Sequence, residues 1–486
     1  MGLNALDYAV VALYLIAVTT FGSYFARFQK TTGDYFLTGR SVPWWAICFT
    51  IVATETSTLT FIGVPASAYA GNMTFLQLAV GYVIGRILVS AIFIPAYFRG
   101  DLVTSYEFLQ RRYGSGVKTV AAGLFLITRS LADGIRLFAT ALVISIVTGV
   151  PVSPTVITLG VAMIIYTERG GVAAVIWTDV VQMFIYVAGA LVVFCALLWQ
   201  IPGGWSEVVR LGAPAGKFTV VDLSLDPTRV YTLWAGLVGG VALTLATHGT
   251  DQYLVQRLLS ARSQGEAQRG LVLSGLIVFA QFVMFLTIGA MLYAYHQHVP
   301  LTSPLSRNDE ILPRFIVTAL PHGAIGFIVA AIVAAALSPS LNAMAATTVN
   351  DFYLKYVRPD ADQATLMRLS RQATFAWGIV QLAVALGAQW MRQSVLDAGL
   401  SVLSLTTGPV LGAFMLGVLT RHVGSRAMLA GMLAGAVAMV PIWWTGALAW
   451  TWYAFAGAAI TSAVALALAI LPSFRAEPVE RMTTTL

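Results

Sequence analysis

Charge is scarce in this sequence. Of 486 residues, 10% are Asp, Glu, Lys or Arg and 58% are hydrophobic. Mean hydropathy is +0.80. A water-soluble domain carries about 25% charged residues. The deficit excludes the soluble fold classes and leaves an all-α polytopic membrane protein. Cysteine is scarcer still. Cys48 and Cys195 lie in apolar runs without a CxxC partner. They read as small buried hydrophobes, which excludes a disulfide framework and a thiolate metal site. The five histidines are scattered, so no zinc cluster is expected. No nucleophile–base pair is evident, so the chain does not read as an enzyme and no cofactor is expected.

What is present is a succession of apolar runs. A helix needs about 20 apolar residues to cross a bilayer, and about thirteen segments meet or approach this. They are 6–26, 43–71, 73–98, 117–149, 152–166, 171–199, 230–256, 268–296, 322–350, 369–391, 394–418, 426–446 and 448–472. The first lacks a basic leader and a small-residue cleavage site, so it reads as a retained span. The net charge of +7 is a loop property. With the N-terminus outside, most Lys and Arg fall in inner loops, such as Arg27, Lys30, Arg111, Arg112, Arg257, Arg262 and Arg421. Only Arg210, Lys217, Arg229, Arg307, Arg314 and Arg392 fall outside. The positive-inside rule then puts the C-terminus in the cytoplasm of a cell (inner) membrane. No basic helix interleaved with aromatics points to nucleic acid. "SYEFLQRRYG" (105–114) reads as an amphipathic inner-surface helix, and "ILPRFIVTAL" as a short interfacial helix on the outer face.

Two spans are interrupted. "TETST" sits at the centre of 43–71, with Gly63 and Pro65 beyond it. Thr247, His248, Gly249, Thr250 and Asp251 collect in 230–256. Ser and Thr side chains compete for helix hydrogen bonds, and broken backbone is tolerated at membrane depth only around a cavity or inside protein. Close packing of small residues is one explanation. Matched breaks five spans apart favour the other, a transporter's midplane site. Intramembrane charge gathers nearby. Glu55 has Arg86 as its obvious mate, either as a structural ion pair or for ion coupling and solute orientation. Arg129, Asp133 and Arg136 share one helix face. There Asp133 can neutralise one arginine, leaving the other for a solute carboxylate or for an internal salt-bridge network.

"ATETSTLTFIGVPASAY" (53–69), "AVIWTDVVQMF" (174–184), "GTDQYLVQRLLSARSQGEAQRG" (249–270) and "SPSLNAMAATTVNDFY" (338–353) resemble the sodium:solute symporter family. Its members carry sugars, proline, pantothenate, iodide and sialic acid, and the likeness covers nearly the whole chain. The resemblance implies a LeuT-like fold. It would hold a first inverted repeat in 43–199, a second in 230–418, two added helices in 419–472, and alternating access that carries solute inward with sodium. It implies sodium on the carbonyls of Ala53, Thr56 and Ile332. The family's two hydroxyl ligands fall here on Ala335 and Ala336, which offer no side-chain oxygen. Water, Ser57 or Asp179 would complete the shell, or Pro339 would free the Ala335 carbonyl. A shift of one turn would bring Ser338 into place. Otherwise Glu55 would couple protons instead of sodium.

The resemblance puts Asp179 near the sodium exit route; a helix cap is the alternative. It aims Ser57, Thr60, Phe75, Gln77, Thr244, Thr247 and His248 at the solute. Thr244 and Val278 stand where sugar carriers place an amide and a lysine, which argues against a copied sugar site. Gln381, Thr406 and Thr407 are further solute candidates, with helix packing as the alternative. The expected partners are a small polar or anionic solute, sodium or protons, and lipid, with the monomer as the functional unit. Two other classes fit less well: a sensor would need a signalling domain after Leu471, and a channel fits broken inverted halves poorly. A proton-coupled or uncoupled carrier on the same scaffold is the alternative to sodium symport.

Overall fold

A computed structural model describes residues 3–26, 40–99, 105–167, 172–336 and 340–475. Among these the chain is helical throughout; two isolated bridges, Val42–Ala261 and Val423–Arg475, are the only extended pairings. Helix α1 is Ala5–Ala26. The second apolar run forms two helices, α2 (Trp44–Glu55) and α3 (Thr58–Ala70). Then come α4 (Phe75–Arg99), α5 (Ser105–Tyr113), α6 (Ser115–Thr148), α7 (Val152–Thr167), α8 (Val172–Gln200) and α9 (Trp205–Gly212). The seventh run starts as a π-helix, Ala235–Gly240, and continues as α10 (Val241–Gly249) and α11 (Gln252–Leu259). The rest comprises α12 (Gln264–His298), α13 (Ile311–Ala319), α14 (Ala324–Ala336), α15 (Ser340–Thr347), α16 (Gln363–Ala388), α17 (Val395–Leu419), α18 (Ser425–Thr445) and α19 (Tyr453–Leu468).

Among the described residues, seven helices are each long and apolar enough to cross a membrane, and the bent α2–α3 pair makes an eighth. Shorter apolar helices occur in α1, α7, α10 and α14. The amphipathic segment at 105–114 is helix α5, and the outer "ILPRFIVTAL" stretch is α13. One expectation fails. Cys48 is buried, but Cys195 is exposed on α8. An apolar thiol on an outward helix face has lipid for its solvent, so hydrophobicity alone does not imply burial here.

The long α12 forms the spine. It packs against α2, α3 and α4, so it contacts both halves of the broken second run. Small residues set its distance. A methyl group at Gly289 would strike the Pro65 carbonyl, and one at Gly270 would strike the Trp44 carbonyl. Lipid gives helices no hydrophobic reason to associate, so such close backbone approaches supply the contact energy. Near the start of α1, Asp7 is fully buried. It accepts from the Gly323 and Gly326 N–H groups at 2.6 and 3.0 Å and from His322 Nδ1 at 2.7 Å. A carboxylate at a helix N-terminus satisfies orphan donors and the helix dipole, so α1 is fastened to α14 by a cap in trans.

Candidate solute and ion site

The first break is local chemistry. Residues Trp44–Glu55 run as helix until Thr56 (φ −77°, ψ 71°) and Ser57 (φ −93°, ψ 177°) leave helical space. The two halves meet at 61°. A continued helix would aim the Ser57 N–H at the Ala53 carbonyl; instead it bonds to Glu55 O at 2.8 Å. The α3 ladder starts with Phe61 N–H on the Ser57 carbonyl, one residue past the Thr56 carbonyl. Thr60 Oγ1 donates back to Glu55 O at 2.8 Å and steadies the turn. Thr58 bridges outward, with its hydroxyl 3.0 Å from Thr140 Oγ1 of α6 and 3.5 Å from the Ile332 carbonyl of α14. Ala53, Thr56 and Ile332 thus lie around one junction. Ala335 and Ala336 end α14, and Ser338 lies outside the described residues.

The break also collects charge. Arg86 of α4 is fully buried and its Nη2 donates to Glu55. His248 of α10 places Nε2 3.3 Å from the same Nη2 and 3.6 Å from Glu55 Oε1. Its Nδ1 lies 3.0 Å from Thr247 Oγ1, which itself donates to the Leu243 carbonyl. A neutral imidazole with hydrogen on Nδ1 satisfies all of these at once: Thr247 accepts, and Nε2 accepts from arginine. Thr56 Oγ1 donates to Gln281 Oε1 of α12 at 2.8 Å. Among the described residues, Arg86 Nε and Nη1, Gln281 Nε2 and the Tyr82 hydroxyl are buried without a hydrogen-bond partner.

A second network lies at the other break. Asp251 caps α11 through the Tyr253 N–H at 2.9 Å and takes Arg129 Nη2 of α6 at 2.5 Å. Asp133 does not neutralise Arg129; its Oδ1 lies 3.7 Å from Arg136 Nη1. Helix spacing puts the three side chains on one face, but the tertiary fold gives Arg129 a better acceptor. Asp179 of α8 accepts from Thr50 Oγ1 at 2.8 Å and from Arg257 Nη2 at 2.9 Å. The Tyr253 ring carries both cations, Arg257 at 4.1 Å and Arg129 at 4.7 Å from its centroid. Cation–π contact strengthens when desolvated. Asp179 therefore ties α8 to α2 and α11, beyond any role as a cap.

The remaining predicted solute contacts separate into groups. Phe75 stacks edge-on against Tyr231 and Phe282. Gln77 is used up: it donates to the Thr74 and Tyr231 carbonyls and accepts from Asp222 N–H, which ties down the outer loop. Thr244 is buried in the α4–α10 seam, where a methyl at Gly85 would lie 2.5 Å from its Cβ. Val278 is buried in α12. Thr406 meets Thr128 at 2.6 Å, Thr407 bonds to Leu403 O, and Gln381 meets the Met344 sulfur. Gln281, Thr50, Tyr253 and Arg257 were missed as site residues. Tyr253 and Arg257 had a signal, being i and i+4 beside the polar break, but Arg257 was assigned to an inner loop. Gln281 and Thr50 had none.

Broken helices, an intramembrane charge network and a multi-pass helical bundle define a secondary transporter. The chain belongs to the sodium:solute symporter family, whose model matches residues 35–435. It is 30% identical over 442 residues to the sodium/sialic acid symporter NanT of Aliivibrio fischeri, covering 89% of this chain and 86% of that protein. It is 28% identical to the human sodium/iodide cotransporter, covering 89% and 68%. A solved Na⁺-coupled sialic acid symporter, in a substrate-bound outward-open state, superposes with TM-score 0.88 at 27% identity, over 98% of this chain and 100% of that one.

Proposed function

We propose that the protein moves a small polar or anionic organic solute together with sodium by alternating access. The observation that carries this reading is the α2–α3 break with its 61° bend. It takes the carbonyls of Ala53 and Thr56 out of the helix ladder, close in sequence to Thr58, whose hydroxyl reaches the Ile332 carbonyl, and oxygen ligands of this kind suit a hard cation. Ser57 and Asp179 are the side-chain candidates to complete the shell. On the solute side the candidates are Thr60, Phe75, Arg86, Arg129, Arg136, Thr247 and His248. Asp133 stays a candidate beside them, because its buried carboxylate oxygens have no hydrogen-bond partner among the described residues; the structural roles of Gln77 and Thr244 argue against direct contact for those two. About thirteen spans cross the membrane, with inverted repeats in 43–199 and 230–418 and two added helices in 419–472. The N-terminus faces outside, the C-terminus faces the cytoplasm, and the monomer is the working unit.

Melting the purified protein in sodium chloride and in choline chloride at equal ionic strength tests the ion. A ligand that binds only the folded state stabilises it by mass action. A saturable upward shift in sodium is expected, with an inward sodium gradient driving uptake in proteoliposomes. No shift up to high sodium would move the reading to its rival. That rival is proton coupling at Glu55, favoured by the alanines at 335 and 336; melting against pH would then test it.

A further inference from the structure

The Glu55–Arg86 pair is incomplete in an informative way. Glu55 engages Arg86 through Nη2. Nε and Nη1 have no partner among the described residues, although the side chain is fully buried. A guanidinium reads a carboxylate best through two parallel N–H bonds, and either fork of Arg86 includes Nη2. A carboxylate that displaced Glu55 would gain the two-point contact that Glu55 does not make. Gly275 of α12 lies against the guanidinium: a Cβ there would stand 3.1 Å from Cδ and 3.2 Å from Nη1, so the missing side chain is what admits Arg86 to this position. A further donor waits at the same break. Gln281 holds Thr56 through Oε1, and its Nε2 is free.

Displaced Glu55 would not be left in isolation. It lies between Ala53 and Thr56 in sequence, at the turn where the helix ladder is interrupted. That is the proposed sodium junction, where alanines replace side-chain oxygens. Resting on the sodium-coupled reading above, we propose that Glu55 and Arg86 exchange partners during transport. A solute carboxylate takes the guanidinium from Glu55, and the released Glu55 carboxylate becomes a ligand of the co-transported sodium.

The exchange explains coupling by charge balance. A carboxylate entering alone strands Glu55, and sodium drawing Glu55 away alone strands Arg86. Either leaves an uncompensated buried charge, which is strongly unfavourable. Entering together, the two ions convert one neutral pair into two. The solute class follows: a small organic acid, in preference to its neutral ester.

Binding of N-acetylneuraminate and L-lactate, each beside its methyl ester, tests this by calorimetry in saturating sodium and in choline. In the wild type, sodium should tighten binding of an acid by about tenfold or more, the usual size of such coupling. The esters should bind poorly. Glu55→Gln removes the resident competitor, so the acid should still bind while the sodium effect falls to near onefold. The double variant Glu55→Gln/Arg86→Gln keeps the site neutral and foldable, checked by its melting curve, and should lose the preference for acid over ester. An unchanged sodium effect in Glu55→Gln overturns the exchange, as does an acid preference surviving in the double variant. Failure of both acids to bind the wild type overturns the carboxylate assignment. In those cases a sodium-dependent melting shift leaves the sodium-coupled reading standing; its absence in the wild type overturns that reading as well.

Discussion

Arg129 shows how a single side chain acquires its role. On its own helix it has Asp133 within reach, yet its partner is Asp251 at 2.5 Å, with both side chains nearly excluded from solvent. Removing one member of a buried pair strands the other, at a cost of about 3–5 kcal/mol. Arg129→Ala should therefore lower stability by about that much. Arg129→Met/Asp251→Asn should recover a good part of it, because no charge is left unpaired. Thermal melts of the single and double variants measure this directly. Equal losses in all of them would show that the pair contributes nothing beyond packing.

The outer helix α9 illustrates the scale of an element. It is eight residues long, too short to be stable alone, and a surface cluster fastens it. Arg210 donates through Nε and Nη2 to Glu207 at 2.7 and 2.6 Å, and His298 at the end of α12 lies 2.8 Å from Glu207 Oε1. The Arg210 hydrogen bonds lead in pushing the Glu207 carboxyl down to about 2, from an ordinary value near 4.3. A depressed carboxylate stabilises the fold above its unfolded value, and the contribution disappears as pH falls through the folded one. The difference in melting temperature between wild type and Glu207→Gln should be complete at pH 7. It should shrink as pH drops from the ordinary carboxylate range towards about 2. A difference independent of pH would assign the effect to packing.

Over the whole molecule, orientation decides which network faces which compartment. The proposed orientation, with the N-terminus outside, predicts that the Glu207 cluster and the Asp7 cap lie on the outer side and the Arg257–Asp179–Tyr253 network towards the cytoplasm. Single cysteines placed in a Cys48→Ala/Cys195→Ala background test this. An impermeant maleimide should label Thr302→Cys in intact cells and Arg421→Cys only after permeabilisation. The reverse pattern would invert every assignment of inner and outer.

Much of this architecture is a property of the chain alone. Apolar run length determines where helices lie, because lipid cannot satisfy backbone polar groups. The two breaks were legible for a local reason: short hydroxyl side chains and glycine disrupt the helix from within the segment. Of the charge pairs, Glu55–Arg86 was legible; the others were not. Arg129 chose Asp251 over Asp133, Arg257 reached back to Thr50 and Asp179 from a predicted loop, and Gln77 was taken by the outer loop. These partners lie dozens to hundreds of residues away in sequence. The charge pairs depend on how α2, α6, α8 and α11 come together, which no periodicity encodes. The sequence by itself determined the solvent, the helices and the breaks, since each is set within about 20 residues. Tertiary structure alone decided the Arg129–Asp251 and Arg257–Asp179 pairs and the unmatched donors of Arg86, since a buried charge is settled by whatever the packing brings beside it.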